Sequence, residues 1–460
     1  MPLRGVLCFA LALLPGEAAA HAFGTRYDLP LPLRLWLGTA GAIVALSFVV
    51  FALVLRRGAG TVSYPRFDLP RWLAHPFVIT TLRVFSVAIF LVLLASGWFG
   101  TQDPFRNIVP AFVWIAWWIG FTYLTVVVGD VWSVVNPWKA VYPARFGLHR
   151  DLPRAVGAWP AVLLLVAFAW IEIVWEGNAV PAHIAWLAAG YSLLTWIGMF
   201  AFGRDAWLAG GEVFSVYFGL LARLAPIDRE LKLRPPVAGL LDPRPVSTSV
   251  AAFVIVMLAT VTFDGLRETP LWANLLAGRS NPGEPPGDAL WTGTATAGVV
   301  LTPCVFALVI LATCALMAAL ARGNEHPASA GELARLFVPT LLPIAFAYHV
   351  AHYLSYLLIA GQVVIPLASD PLGRGWDLFG TARFKPVVDI VGARFAWYTS
   401  VVVIVLGHVA AMYVAHRLAL ERFGDARTAR RSQYPFAALM VLYTMTSLWI
   451  LAQPIVETRP

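Results

Sequence analysis

The sequence predicts an all-α membrane protein, a polytopic bundle of about ten transmembrane helices that follows a signal peptide. Three observations predict it. The 460 residues are 59% hydrophobic and 13% charged, whereas a soluble domain carries about 25% charged residues. The apolar residues gather in repeated runs of roughly 18–25, long enough to cross a hydrocarbon core as helices. Arginine and lysine fall unevenly between alternate loops, as they do when basic residues are held on one side of a bilayer.

Residues 1–20 read as a secretory signal, with Arg4 as the positive end, Val6 to Leu14 as the short apolar core and Ala18 to Ala20 as a small-residue cleavage site. Cleavage after Ala20 would leave His21 at the new N-terminus, where an amine and an imidazole from one residue could hold copper. Ten spans follow, at 33–55, 77–99, 109–128, 159–175, 184–202, 247–263, 292–321, 337–361, 397–416 and 435–453. A cleaved signal places the mature N-terminus outside, and an even number of crossings returns the C-terminus there. On that orientation the inside loops carry 21 lysines and arginines and the outside segments 10, and every inside loop is basic. The net charge of +8 is therefore accounted for by the membrane and gives no reason to expect nucleic acid.

Two segments between spans stand out. Residues 212–226, EVFSVYFGLLARLAP, are amphipathic and too short to cross, which predicts a helix lying along the interface. Residues 362–396 form a long outside segment rich in glycine and proline between two histidine-bearing spans, placed to cover whatever lies between them. No internal repeat is visible. Cys304 and Cys314 lie ten apart in one apolar run, without the CxxC spacing of a metal knuckle, and read as buried small residues.

The chemistry concentrates in three histidines within apolar runs. His349 and His352 lie three apart in AYHVAHYLSYLL, on one helix face about a turn apart, and His408 lies in VVVIVLGHVAAMYVAH on the next span. Ionisable groups at membrane depth are rare and face an interior, a cavity or a partner. Three imidazoles could bind one metal, zinc, copper, iron or nickel, and leave a position open for water or substrate. The structural alternative is that each histidine bonds a hydroxyl or carbonyl on a neighbouring helix. Glu172, deep in an apolar run, and Asp264, at the outer end of its span, could each be a further metal ligand, an acceptor for an imidazole N–H or a general base. Asp130 reads as a helix-end residue at the inner surface, and His416 as an inner-surface residue beside Arg417. Walker A, dinucleotide-binding, GxSxG and HExxH patterns are absent, so ATP hydrolysis, nicotinamide binding, α/β-hydrolase and zincin chemistry lose support.

Read end to end, the chain resembles the bacterial multi-span membrane proteins commonly labelled fenitrothion hydrolase. The resemblance lies in HAFGTRYDLPLPL at 21–33, VWIAWWIGFTYLTVVVGDVWSVVNPW at 113–138 and ATVTFDG at 259–265. It continues in AYHVAHYLSYLLIAGQVVIPLASDPLGRGWDLFGTA at 347–382, VGARFAWYTSVVVIVLGH at 391–408 and YPFAALMVLYTMTSLWILAQPIVE at 434–457. It implies a protein of the bacterial inner membrane that hydrolyses organophosphate triesters, small apolar substrates that partition into a bilayer. Joined to the residues above, it gives a metal-dependent hydrolase with His349, His352 and His408 on the metal and Glu172 or Asp264 taking the proton from water. Two other classes fit the same residues: a metal-ion or proton-coupled transporter, and a haem- or copper-binding redox protein. A partner subunit or a homo-oligomer is compatible with each.

Overall fold

A computed structural model describes residues 27–55, 64–153, 155–277, 288–323 and 327–457; the expected signal peptide and His21 lie outside the described residues. The spanning helices are α1 (Leu33–Val54), α2 (Pro76–Phe99) and α3 (Ile108–Val127), followed by a short α4 (Pro137–Val141). Next come α5 (Trp159–Ile173), α6 (Pro181–Phe202), two short helices α7 (Arg204–Gly210) and α8 (Val213–Leu221), and α9 (Thr248–Arg267). The rest are α10 (Asp288–Leu320), α11 (Ala330–Phe337), α12 (Leu342–Ala360), α13 (Val364–Ser369), α14 (Ala393–Phe423), α15 (Ala426–Ser432) and α16 (Tyr434–Ile455). Proline opens α2, α5, α6 and α12, at the one turn where a missing N–H costs no hydrogen bond.

Among the described residues nine helical stretches are long and apolar enough to cross a membrane, one of them running continuously from Ala330 to Ser369. The expected fourth span falls short: α5 has 15 residues, about 22 Å against a hydrocarbon core of about 30 Å. Strand β1 (Tyr27–Asp28) pairs in parallel with β2 (Val456–Glu457), so the chain enters α1 and leaves α16 on the same face of the bundle. We call this the terminal face and the opposite one, which carries most of the arginine, the basic face.

The basic face is not flat. Trp138 on α4 donates its indole N–H to Ser192 on α6 (2.7 Å), and the Val213 N–H at the start of α8 reaches the Tyr191 hydroxyl (3.2 Å). Tyr191 and Ser192 lie ten or more residues from the basic end of α6, about 15 Å into the bundle. The connections holding α4 and α8 therefore dip inward, and α8 is buried along both faces, from Val213 to Leu221. This corrects the interfacial helix expected at 212–226. Its aromatic face meets Trp117, Trp118 and Trp132, with Trp117 and Phe214 ring centroids 4.6 Å apart. The dense aromatic packing leaves no face of α8 for lipid.

The segment after α13 is ordered by its own polar residues. The Asp370 carboxylate accepts from the Arg374 and Gly375 N–H groups, and Ser369 Oγ pairs with Thr381 Oγ1 at 2.7 Å. It is pinned to the turn between α2 and α3 by Thr101 N–H to the Leu372 carbonyl (2.9 Å) and by Arg374 to the Phe99 carbonyl (3.0 Å). Within residues 362–396, Leu372 and Arg374 thus fasten onto the α2–α3 turn, while Val387 is tied back to Gln362 at the end of α12 (3.0 Å).

Candidate functional site

Helix α9 is the most buried of the spans. Ser247 caps it, its hydroxyl accepting from the Val250 N–H (3.3 Å), and Asp264 stands in its last turn at 6% exposure. A carboxylate there is tolerable only with partners, and it has three. Oδ1 receives Arg267 Nε at 3.0 Å, one turn further along the same helix. Oδ2 receives both the His352 Nε2–H at 3.1 Å and the Tyr353 hydroxyl at 2.5 Å, adjacent residues on α12. Two neighbouring residues can converge on one oxygen because the acceptor sits between the directions in which they leave the helix. Gly265 makes the approach of α12 possible: a Cβ there would stand 2.5 Å from the Tyr348 hydroxyl.

Arg267 carries the site across to α5 by donating to the Ile173 carbonyl (3.1 Å). Beside it lies Glu172, with the Trp118 indole, Asp264 and Arg267 as its polar and charged neighbours. Asn178 donates to the Glu172 carbonyl (2.8 Å), and the Trp114 indole N–H donates to the Asn178 carbonyl (2.8 Å). Trp114 and Trp118 come from a stretch of α3, Ala111–Gly120, wound with wide π-type turns. Such turns recur at functional sites because they alter which side chains share a face. Tyr217 of α8, its ring centroid 4.8 Å from that of Trp118, closes the site from the basic side with Glu172 as its charged neighbour. Five helices thus meet around two carboxylates, one guanidinium, one imidazole and one phenol, near the terminal face.

The two candidate general bases, Glu172 and Asp264, are brought together, and His352 joins them. The other two histidines are elsewhere. His349 is buried with its Nε2 unpartnered among the described residues, packed by the ring of Tyr353 on its own helix (4.9 Å) and by Tyr123 (5.7 Å) and Trp118 (6.5 Å) of α3. His408 donates Nδ1–H to the Ile404 carbonyl of its own helix (2.8 Å) and turns its ring towards Tyr443 of α16 (5.8 Å). Among the described residues no three His, Cys, Asp or Glu side chains are arranged to hold a metal ion. The expected triad of His349, His352 and His408 is therefore not gathered: one imidazole faces α9, one α3 and one α16. Gly407 packs directly against Ala347 and the Pro343 carbonyl where α14 crosses α12. Among the described residues His349, His352 and His408 do not form the three-imidazole site expected for zinc.

Two further expectations resolve differently. Asp130 is an anchor of the basic face, its Oδ2 2.9 Å from Arg229 Nε, as a helix-end role requires. His416 lies at the basic end of the bundle, buried there; it donates to the Leu55 carbonyl (3.2 Å), accepts from Gln433 Nε2 (3.2 Å), and latches the end of α1 to the end of α15. Sequence reasoning missed Arg267, counted as a loop charge, although its three-residue spacing from Asp264 is the signal of an in-helix pair. It also missed Glu212, which is fully buried. Glu212 caps α8 through the N–H groups of Phe214 (2.9 Å) and Ser215 (2.8 Å) and receives Tyr191 (2.5 Å), Asn136 (3.1 Å) and Trp132 (3.4 Å). An acidic residue heading an apolar run is an N-terminal signature that an interfacial reading passes over.

No protein-family model, no curated protein and no solved structure matches this chain.

Proposed function

We propose that this chain is a proton-coupled membrane transporter in which Asp264 and His352 carry the exchangeable proton. The observation that supports this most is one buried carboxylate, Asp264, shared by Arg267, His352 and Tyr353. Ionisable side chains are costly at membrane depth, and where they occur they mark ion and proton routes. Imidazole gains and loses a proton in the neutral range, so a carboxylate with imidazole is an exchangeable pair. Arg267 holds a compensating positive charge beside Asp264 whichever state His352 is in. Loss of the His352 proton removes the positive charge facing Asp264 and weakens a charge-assisted bond from α12 to α9, and regaining it restores that bond to full strength. The inward-dipping α4 and α8 support the same reading, because interrupted helices line substrate sites in many transporters.

Vesicles reconstituted with the protein and loaded with a pH-reporting dye test this, with a panel of small apolar phosphotriesters and aromatic solutes supplied outside. Wild type is expected to take up a solute with coupled proton movement. Asp264→Asn and His352→Gln, eluting as the same monodisperse species in detergent, are expected to do neither. Uptake unchanged in both variants would refute the assignment.

The hydrolase implied by the resemblance has support from the same pair, since a histidine held by a carboxylate is placed as a general base. His352 would accept a proton from water as the water oxygen bonds to phosphorus and the aryloxide departs. Nitrophenol released from a nitrophenyl phosphotriester by wild type but not by His352→Gln, with no intact triester accumulating inside, would favour hydrolysis over transport.

A further inference from the structure

A long apolar groove opens between α5, α9, α10 and α11, with a volume of about 1250 Å³. Its walls include Leu163 and Val166 of α5, Ile255 of α9, and Val300 and Leu311 of α10. Leu163, Val300 and Leu311 are exposed at 69%, 48% and 44%, so the groove faces the lipid phase. Pro303, inside α10, lies in its floor; its ring interrupts the helix ladder and keeps the wall from closing into a regular packed seam.

The chemistry changes at one end. At the basic face the mouth is formed by Ser329, Glu332 and Arg335. The Ser329 hydroxyl is spent as the cap of α11, accepting from the Glu332 N–H (3.2 Å), and the Glu332 carboxylate is taken by Arg422 (2.9 Å). Arg335 is left: its Nε is buried and has no hydrogen-bond partner among the described residues. A guanidinium donor at the mouth of an apolar groove of membrane depth calls for an anion carrying acyl chains. Arginine suits a phosphate better than lysine would, because its planar fork meets two oxygens at once.

We propose that this groove binds one phospholipid from the leaflet on the basic face, its phosphate on Arg335 and its acyl chains along α5 and α10. A transmembrane helix of another protein would fill the apolar walls equally but would leave the Arg335 donor unanswered, which is why a lipid is the occupant argued for. The assignment is independent of the proton-coupled reading, since none of Asp264, Arg267, His352 and Tyr353 lines the groove.

Native mass spectrometry of the full chain, extracted from vesicles of phosphatidylglycerol and phosphatidylethanolamine, tests it. Wild type is expected to retain one phospholipid per chain, and Arg335→Gln to retain about tenfold less, the loss of one charge-assisted phosphate contact. Val300→Trp, an exposed substitution that narrows the groove with Arg335 intact, is expected to lower retention as well. A phospholipid bearing a photoreactive acyl chain should label the peptide containing Cys304. Equal retention in wild type and both variants, labelling confined to other helices, or a protein partner recovered in the lipid's place would each overturn the proposal.

Discussion

Removing the carboxylate of Asp264 should be among the most damaging single changes available in this chain. Asp264→Ala deletes the Oδ1 contact to Arg267 at 3.0 Å between side chains only 9% and 14% exposed, and the acceptor shared by His352 and Tyr353. Stranding one member of a buried pair costs about 3–5 kcal/mol, because the remaining charge keeps its desolvation penalty. The two orphaned donors add to this, but their losses overlap with the pair's. Arg267→Ala should cost a similar amount by stranding the carboxylate. The double variant should cost far less than the sum, since neither charge is then left alone, with a coupling energy of about 2–3 kcal/mol. Equilibrium unfolding in mixed dodecyl maltoside and dodecyl sulfate micelles, followed by the fluorescence of the 19 tryptophans, measures all four corners. Single costs that add to within about 0.5 kcal/mol would refute the pairing as the organising contact of the site.

Two other outcomes follow from the structure. Glu212→Ala, which removes the cap of α8 and the acceptor for Tyr191, Asn136 and Trp132, should destabilise by about 3 kcal/mol or more; Glu212→Gln, which keeps an acceptor, should cost clearly less in the same unfolding assay, and equal costs would show that α8 does not depend on the cap. On the basic face, the Thr428 and Arg427 N–H groups and the Thr428 hydroxyl hold the Asp425 carboxyl below the usual carboxylate range at the start of α15. A depressed native value means that this stabilisation is present above the unfolded value and disappears as pH falls through the native one. Asp425→Ala should therefore cost about 1 kcal/mol at neutral pH and nothing once the carboxyl is protonated, read as amide exchange over α15 at both pH values; a gap that persists in acid would exclude the carboxylate as its source.

Much of the architecture was legible because bilayer thickness imposes a length on every apolar run, and that length survives in one dimension. Helix ends were legible to within a few residues where proline or serine marks them. What escaped reading was depth in the connections. The segment 212–226 has the composition of an interfacial helix, yet Glu212, Asn136 and Tyr191 supply enough internal hydrogen bonds to draw it into the bundle. Arg267 escaped because a charge near a span end looks like a loop charge until its partner on the same helix is seen.

For the candidate site the same division holds. Asp264, Glu172 and His352 could each be picked out from the sequence, because a titratable group in an apolar run is conspicuous wherever it points. Which of them meet depends on the rotation of each helix about its axis, and hydropathy carries no record of rotation within a bundle buried on all sides. His349 and His352 sit one turn apart on α12, and still the first turns to α3 and the second to α9; His408, one helix on, turns to α16. The amino-acid order determined the crossings and the inventory of polar groups. Packing alone decided their company, since a Gly407–Ala347 contact or a Gly265–Tyr348 contact sets the angle at which neighbouring helices present their side chains.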